Sequence, residues 1–461
     1  MTVRGGARGL LVACMMHASV AGAEVLTESR VLASARANFP AIVAAEAEKR
    51  AAEGELLASE GGFDPLLRSK NAATITGPYE NARTDTYVEQ PTSFYGASWF
   101  AGWRLGHGYF PLYDGKYETG SLGEARVGAS VPLLRNRSVD RRRATLARAE
   151  RSVGIAETNL DAQRIAAVRN ASFRYWDWVL AGERQRLAKQ LLEIAEFRRD
   201  ATERRAKHGE IQASEVLENE RGVLQRRSVL ASAERSLEAA RYELSLYVRD
   251  ETGAVVDASA WDSPGLPRDS AMPLAREAAV AKAEAARPEL RRLEHEVERE
   301  RIEARFADDQ TLVAADVGAS TGVPIGEDNL GYRAPRTEVT LGLDYSPLNR
   351  AWKGRRAIAE AAVARAQANL GLARDRVRVE VDDALSAWKR AGERAAAAAA
   401  ERDLAQELAR LERTRFEMGD GTLFLVNLRE QIAFEAELRD REARADQQRA
   451  LAQFRAAIGE R

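Results

Sequence analysis

Four histidines, His17, His107, His208 and His295, are the side chains best suited to hold a metal or move a proton near neutral pH. They are scattered, and no pair has the close spacing of a metal site, so none is indicated. No phosphate loop of the Walker type and no nucleophile elbow occurs. Glu380, Asp382 and Asp383 form an acidic cluster that reads as a solvated helix face. Phe173, Tyr175, Trp176 and Trp178 could touch cargo, but such clusters more often pack between helices. Trp388, at the equivalent place later in the chain, favours packing. The expectation is therefore no enzyme, no cofactor and no metal. A net charge of −1 also lacks the basic excess of a nucleic-acid binder.

With no reactive constellation, the elements themselves become the subject. From Asn136 to His208 the chain has no proline and an apolar seam at seven-residue spacing: Leu146, Val153, Leu160, Ala167, then, after a register shift, Leu180, Leu187, Ile194 and Ala201. A helix of that span is about 110 Å long. Gly209 breaks it, and Val216, Val223, Leu230, Leu237 and Leu244 mark a return limb. A second rod shows Val363, Leu370, Val377 and Ala384 and runs without proline to the C-terminus. All thirteen prolines lie outside these hairpins, as helix interiors require.

The two rods belong to a repeat. Pro347-Leu348-Asn349-Arg350 echoes Pro132-Leu133-Leu134-Arg135-Asn136-Arg137. Ala391-Gly392-Glu393-Arg394 repeats Ala181-Gly182-Glu183-Arg184 letter for letter. Arg415-Phe416-Glu417-Met418-Gly419 answers Arg205-Ala206-Lys207-His208-Gly209. Upstream of each rod the chain reads as helix and then strand: Leu26 to about Ser59, interrupted at Pro40, and about Leu274 to Arg305. Ser93–Gly96 and Trp99–Trp103 look like strand or loop, and Val127, Ala129 and Val131 alternate with Gly128 and Ser130. The second strand pair is clearer. Val313 to Thr321 and Glu338 to Tyr345 each alternate apolar with polar residues, at nearly the 9–11 residues that cross a bilayer in a tilted barrel.

The N-terminus reads as an export signal: Arg4 and Arg8, an apolar run from Leu10 to Val20, then Ala21-Gly22-Ala23. The rival is a lipoprotein signal, Leu11-Val12-Ala13-Cys14, with a short apolar core before the cysteine. Under the first reading the mature chain keeps no cysteine and its charge becomes −1 − 2 = −3. No segment has the eighteen consecutive apolar residues of a membrane helix. The expected organisation is a signal peptide over 1–23, a first repeat over 24–250, a linker over 251–273 and a second repeat over 274–461. The fold class is mainly α with a membrane β-barrel portion: coiled-coil hairpins in two repeats and four strands per protomer. Four strands cannot close a barrel, and open edges are forbidden in lipid, so other copies must complete it.

The doubled plan of helix, strand pair, Pro-Leu, long rod, glycine tip and return rod resembles the outer-membrane efflux proteins, the TolC-like family. Val131-Pro132-Leu133-Leu134 with Arg142-Arg143, Arg287-Pro288-Glu289-Leu290 and Arg415-Phe416-x-x-Gly419 carry the resemblance over nearly the whole mature chain. It implies a homotrimer with a shared twelve-stranded barrel in outer-membrane lipid and a trimeric α-barrel tunnel in the periplasm. It further implies a periplasmic adaptor at the tip and, through it, an inner-membrane pump of RND or ABC type. Carried over by position, Gly209 and Gly419 are the tip turns. Arg205, Glu210, Ile211, Arg415, Asp420 and Thr422 are adaptor contacts, and Pro132 and Pro347 mark the strand-to-helix junctions. The family's aperture often has a carboxylate nine positions after the second tip glycine; here Leu428 stands there. Phe424 and Leu428 read either as an apolar aperture or as seam residues against a neighbouring helix. The alternatives in other classes are a periplasmic adaptor, which carries one hairpin per chain, and a coiled-coil scaffold, which has no use for amphipathic strands.

Overall fold

The computed structural model describes residues 24–111, 117–208, 212–250, 252–256, 261–267, 274–327 and 335–460. The expected signal with Cys14, and the first tip residues Gly209, Glu210 and Ile211, lie outside the described residues. The elements are β1 (Glu24–Val25), α1 (Glu28–Asn38), α2 (Pro40–Glu60), β2 (Leu66–Thr74), β3 (Asn81–Pro91), β4 (Ser98–Gly108), β5 (Glu124–Pro132), α3 (Arg141–Lys207), α4 (Ala213–Ser245), β6 (Trp261–Asp262), α5 (Arg276–Ala286), α6 (Pro288–Asp309), β7 (Ala314–Pro324), β8 (Arg336–Asp344), α7 (Arg350–Glu417) and α8 (Leu423–Ala457). The long helices α3 and α7 have 67 and 68 residues, each about 100 Å of helix. Their return limbs α4 and α8 have 33 and 35.

Proline sets two boundaries by one mechanism. Phe39 and Arg287 are extended, at ψ 127° and 121°, because a following proline clashes with a helical residue before it; Pro40 and Pro288 then open new helices. The single helix expected from Leu274 to Arg305 is therefore two, α5 and α6.

The chain divides into two compact units. One takes in the described parts of Met1–Ala35, Ala171–Ser270 and Gly392–Arg449. Its core joins Leu26, Val31 and Ala35 to Tyr175, Trp178 and Val179 of α3 and to Leu244 and Val248. Of the mid-rod aromatics, Tyr175, Trp176 and Trp178 are thus packing residues. The Tyr175 hydroxyl donates to the Leu26 carbonyl at 3.1 Å, and the Trp176 indole donates to Glu28 at 3.1 Å. Burial and the nearby Glu28 carboxylate push the Tyr175 hydroxyl well above its ordinary pKa. Beside this core, β1 and β6 pair in parallel.

The other unit takes in Arg36–Asn170, Ala271–Ala391 and the described part of Ala450–Arg461. Leu290, Val377, Val381, Phe454 and Ile458 form one of its cores, and Ile42, Leu160 and Ala167 another. The expected solvated acidic face is exposed yet ion-paired: Asp382 accepts two bonds of 2.7 Å from Arg276, and Glu380 accepts from Arg287.

This unit also holds one antiparallel sheet in the order β2-β3-β4-β5-β7-β8. The expectation of four strands per protomer is corrected to six in this sheet. The sheet has two unlike faces. Register aligns Leu67, Val88, Ala101, Val127 and Thr321 in one row, and Arg68, Tyr87, Gly102, Arg126 and Gly322 in the next. Following every row, all Arg, Lys, Asp and Glu of the six strands fall on one face. The other face carries Leu67, Val88, Trp99, Trp103, Val127, Val339, Leu341 and Leu343. It is this apolar face that is open: Val127 is 50% exposed, Leu341 63% and Leu343 67%. On the charged face the central strands are sheltered, with Glu124 only 4% exposed, while the edge strands β2 and β8 are exposed throughout. Its charges pair across strands, Arg104 with Glu124 at 2.8 Å and Arg126 with Asp85 at 3.1 Å.

Candidate tunnel tip and strand-to-helix junctions

Each expected junction turns on an asparagine rather than on its proline. Pro132 is buried as the last residue of β5, and Pro347 is exposed three residues before α7. The chain reverses at Asn136 (φ 67°) and Asn349 (φ 38°), a left-handed conformation that asparagine tolerates better than most residues. Asp309, 4% exposed at the end of α6, fixes the first turn. Its carboxylate accepts from the Asn136 backbone N–H and the Ser138 hydroxyl, both at 2.6 Å. Arg143 donates to the Asn136 carbonyl at 2.6 Å, and Asp140 caps α3 by accepting from the Arg143 N–H at 3.0 Å. In the second turn the Asn349 side chain donates to the Thr311 carbonyl at 3.2 Å. Gly96, at φ +70°, lies against the first turn; a Cβ there would sit 2.6 Å from the Asn136 carbonyl. Asp309→Ala strands donors that lie beside it in the fold, at about 1–3 kcal/mol each. It should lower the thermal midpoint clearly, whereas substitution of exposed Asp308 should not.

At the expected second tip, α7 ends in a Schellman motif. The Asp420 N–H donates to the Arg415 carbonyl and the Gly419 N–H to the Phe416 carbonyl, both at 3.0 Å. Gly419 has φ +85° with open space where a Cβ would stand, so its demand is on the backbone alone. Gly421 makes the other demand, because a Cβ there would lie 3.0 Å from the Phe416 nitrogen. The Arg415 guanidinium donates to the Asp420 carbonyl at 3.3 Å. Thr422 caps α8: its hydroxyl accepts from the Leu425 N–H at 3.3 Å. Arg205 is exposed in the last turn of α3, where positive charge suits the helix dipole. Phe424 and Leu428 lie one turn apart on α8, 61% and 43% exposed, while Leu423 before them and Val426 between them are buried.

The feature of this region that spacing does not announce is Glu430. Its side chain is 5% exposed. Arg198 of α3 grips both its oxygens, at 2.9 and 2.5 Å, and also donates to Asn427 at 2.8 Å. Arg413 of α7 adds a bond of 2.9 Å. Burial pushes this carboxyl up, but the two guanidiniums outweigh it and hold it below its ordinary range. Burial also pushes the Arg226 guanidinium of α4 down, partly offset by attraction to Glu430. The Arg226 Nε has no hydrogen-bond partner among the described residues. One carboxylate thus anchors α8 to α3 and α7, beside a third arginine on α4.

Residues 111–248 match the family model described as outer membrane efflux protein. Comparison with curated proteins finds no match. Among solved structures the chain is similar to a membrane protein from Pseudomonas aeruginosa, with TM-score 0.66, 19% identity, and 95% of this chain and 93% of that one covered. It is similar to the CmeC outer membrane channel of Campylobacter jejuni, at 0.66 and 13% identity, covering 94% and 85%. It is also similar to the outer membrane protein VceC of Vibrio cholerae, at 0.67 and 14%, covering 94% and 96%. At such identities these structures speak for the fold. The family match adds to this over residues 111–248, which take in the last strand of the first group and the first long hairpin.

Proposed function

We propose that three copies of this chain form the outer-membrane duct of a tripartite efflux pump or a type I secretion system, passive in itself and driven through a periplasmic adaptor by an inner-membrane pump of RND or ABC type. The observation that carries this reading is the sheet with one open apolar face and every strand charge on the opposite face. That is the polarity of a barrel wall between lipid and water. It speaks against a periplasmic adaptor or a coiled-coil scaffold, neither of which needs such a surface. Arg205, Arg415, Asp420 and Thr422, with Glu210 and Ile211 of the first turn, are the adaptor-facing residues, carried at the tips by Gly209 and Gly419. Purified protein in detergent should have a trimer's mass and give discrete single-channel currents in a planar bilayer. A non-conducting monomer would overturn the duct.

Phe424 and Leu428 present an exposed apolar pair on α8 and are the proposed constriction. Phe424→Ser or Leu428→Ser should raise resting conductance several-fold; unchanged current would return both to a helix seam. Gly419→Val forces a β-branched residue to positive φ, at a cost of about 1–3 kcal/mol. It should impair export while leaving the trimer assembled, and normal export would count against the tip assignment.

A further inference from the structure

Building on the trimeric channel proposed above, we infer that each copy contributes all six strands to the wall, so that β8 of one copy pairs with β2 of the next and three copies close an eighteen-stranded barrel. Four observations converge. First, β2 and β3 obey the same rule as the other strands: Arg68, Lys70, Arg83, Asp85 and Glu89 all lie on the charged face. A hairpin folded away from the membrane would have no reason to keep that register. Second, a twelve-stranded barrel made of β4, β5, β7 and β8 needs the outer edge of β4. That edge is taken by eleven residue pairs with β3.

Third, the two edges that are open suit each other. Both β2 and β8 have nine residues, all exposed. Five successive antiparallel ladders leave them running in opposite directions, so an antiparallel pair can form between copies, as an even-stranded barrel requires. Unpaired N–H and C=O groups along such edges cannot remain open in lipid. Fourth, on the charged face β2 offers the cations Arg68 and Lys70, and β8 offers two carboxylates, Glu338 and Asp344, against one cation, Arg336. Barrel diameter grows roughly linearly with strand number, so the duct would be about one and a half times as wide as a twelve-stranded one.

The chain has one cysteine, Cys14, so introduced thiol pairs can report on the edges. Lys70→Cys on β2 is combined in turn with Glu338→Cys, Thr340→Cys or Gly342→Cys on β8, which samples the register along the charged face. The comparison pair is Phe100→Cys on β4 with the same β8 positions. A bifunctional thiol reagent reaching about one strand spacing, near 5 Å, is applied to protein whose native mass has been measured. The expected result is a covalent trimer on a denaturing gel for at least one Lys70→Cys combination and none for Phe100→Cys. Trimers linked only through Phe100→Cys, or native trimers in which no Lys70→Cys combination links, overturn the eighteen strands and leave the channel standing. A native monomer overturns the channel reading itself.

Discussion

Leu341→Arg is expected to abolish assembly into the outer membrane, while Thr340→Arg, one residue away on the same strand, leaves it nearly unchanged. The contrast follows from the two faces of the sheet. Leu341 stands in a row with Val131 and Val317 on the face that is open and uncharged. Thr340 stands beside Gly318 and Ser130 on the face that already carries every charge of the strands. An arginine on the lipid face costs about 2–4 kcal/mol at the bilayer midplane and less near its surfaces. In a homotrimer that cost falls on every copy. On the opposite face the same side chain meets water and neighbouring carboxylates. The measurement is the fraction of heat-modifiable protein extracted from outer membranes. Equal tolerance of both substitutions would mean that the apolar face meets no lipid, and equal failure of both would mean that β8 tolerates no bulk on either side.

The rods were readable because a seven-residue apolar repeat survives over many turns. Leu160, Ala167, Leu187, Val223, Val377 and Ala384 are all buried, as their spacing predicts. Ile194 keeps the same register yet is 43% exposed, because an α-helix drifts against a strict heptad. β7 and β8 were readable because valine, leucine and alanine alternate with polar residues. β3 was not. Its outward positions are Ala82, Thr84, Thr86, Val88 and Gln90, so the contrast between its faces is polar against charged rather than apolar against polar. The parity of Arg83, Asp85 and Glu89 is the signal that would have found it. The parallel contact of β1 with β6 covers two residue pairs and leaves no pattern to read.

The junction prolines were visible, but the work of turning the chain falls to Asn136 and Asn349, and Asp309 gives no sign of its role in a sequence that is 30% charged. Glu430 was hidden for the same reason. One carboxylate among many stands out only when folding brings Arg198 to it from a helix far away in the sequence and Arg413 from across the hairpin turn.

Glu430→Gln should therefore be strongly destabilising. It removes the charge that the Arg198 fork and Arg413 share, and it leaves Arg226, whose charge is already disfavoured by burial, with less compensation. Breaking a buried ion pair by removing one partner costs about 3–5 kcal/mol, because the remaining charge stays buried without its counterion. The thermal midpoint in detergent should fall sharply. Glu407→Gln, which removes an exposed partner of Arg410 one turn away, should scarcely move it. Acid should imitate the substitution. The folded chain holds the Glu430 carboxyl below its ordinary value of 4.5, so the native state binds the proton less readily than the unfolded chain. Its contribution is then fully present above about pH 4.5 and is lost as pH falls through the lower folded value. The parent protein should show a loss of stability in that window that Glu430→Gln lacks. If parent and variant lost stability in parallel with falling pH, the carboxylate would not be the anchor of these helices.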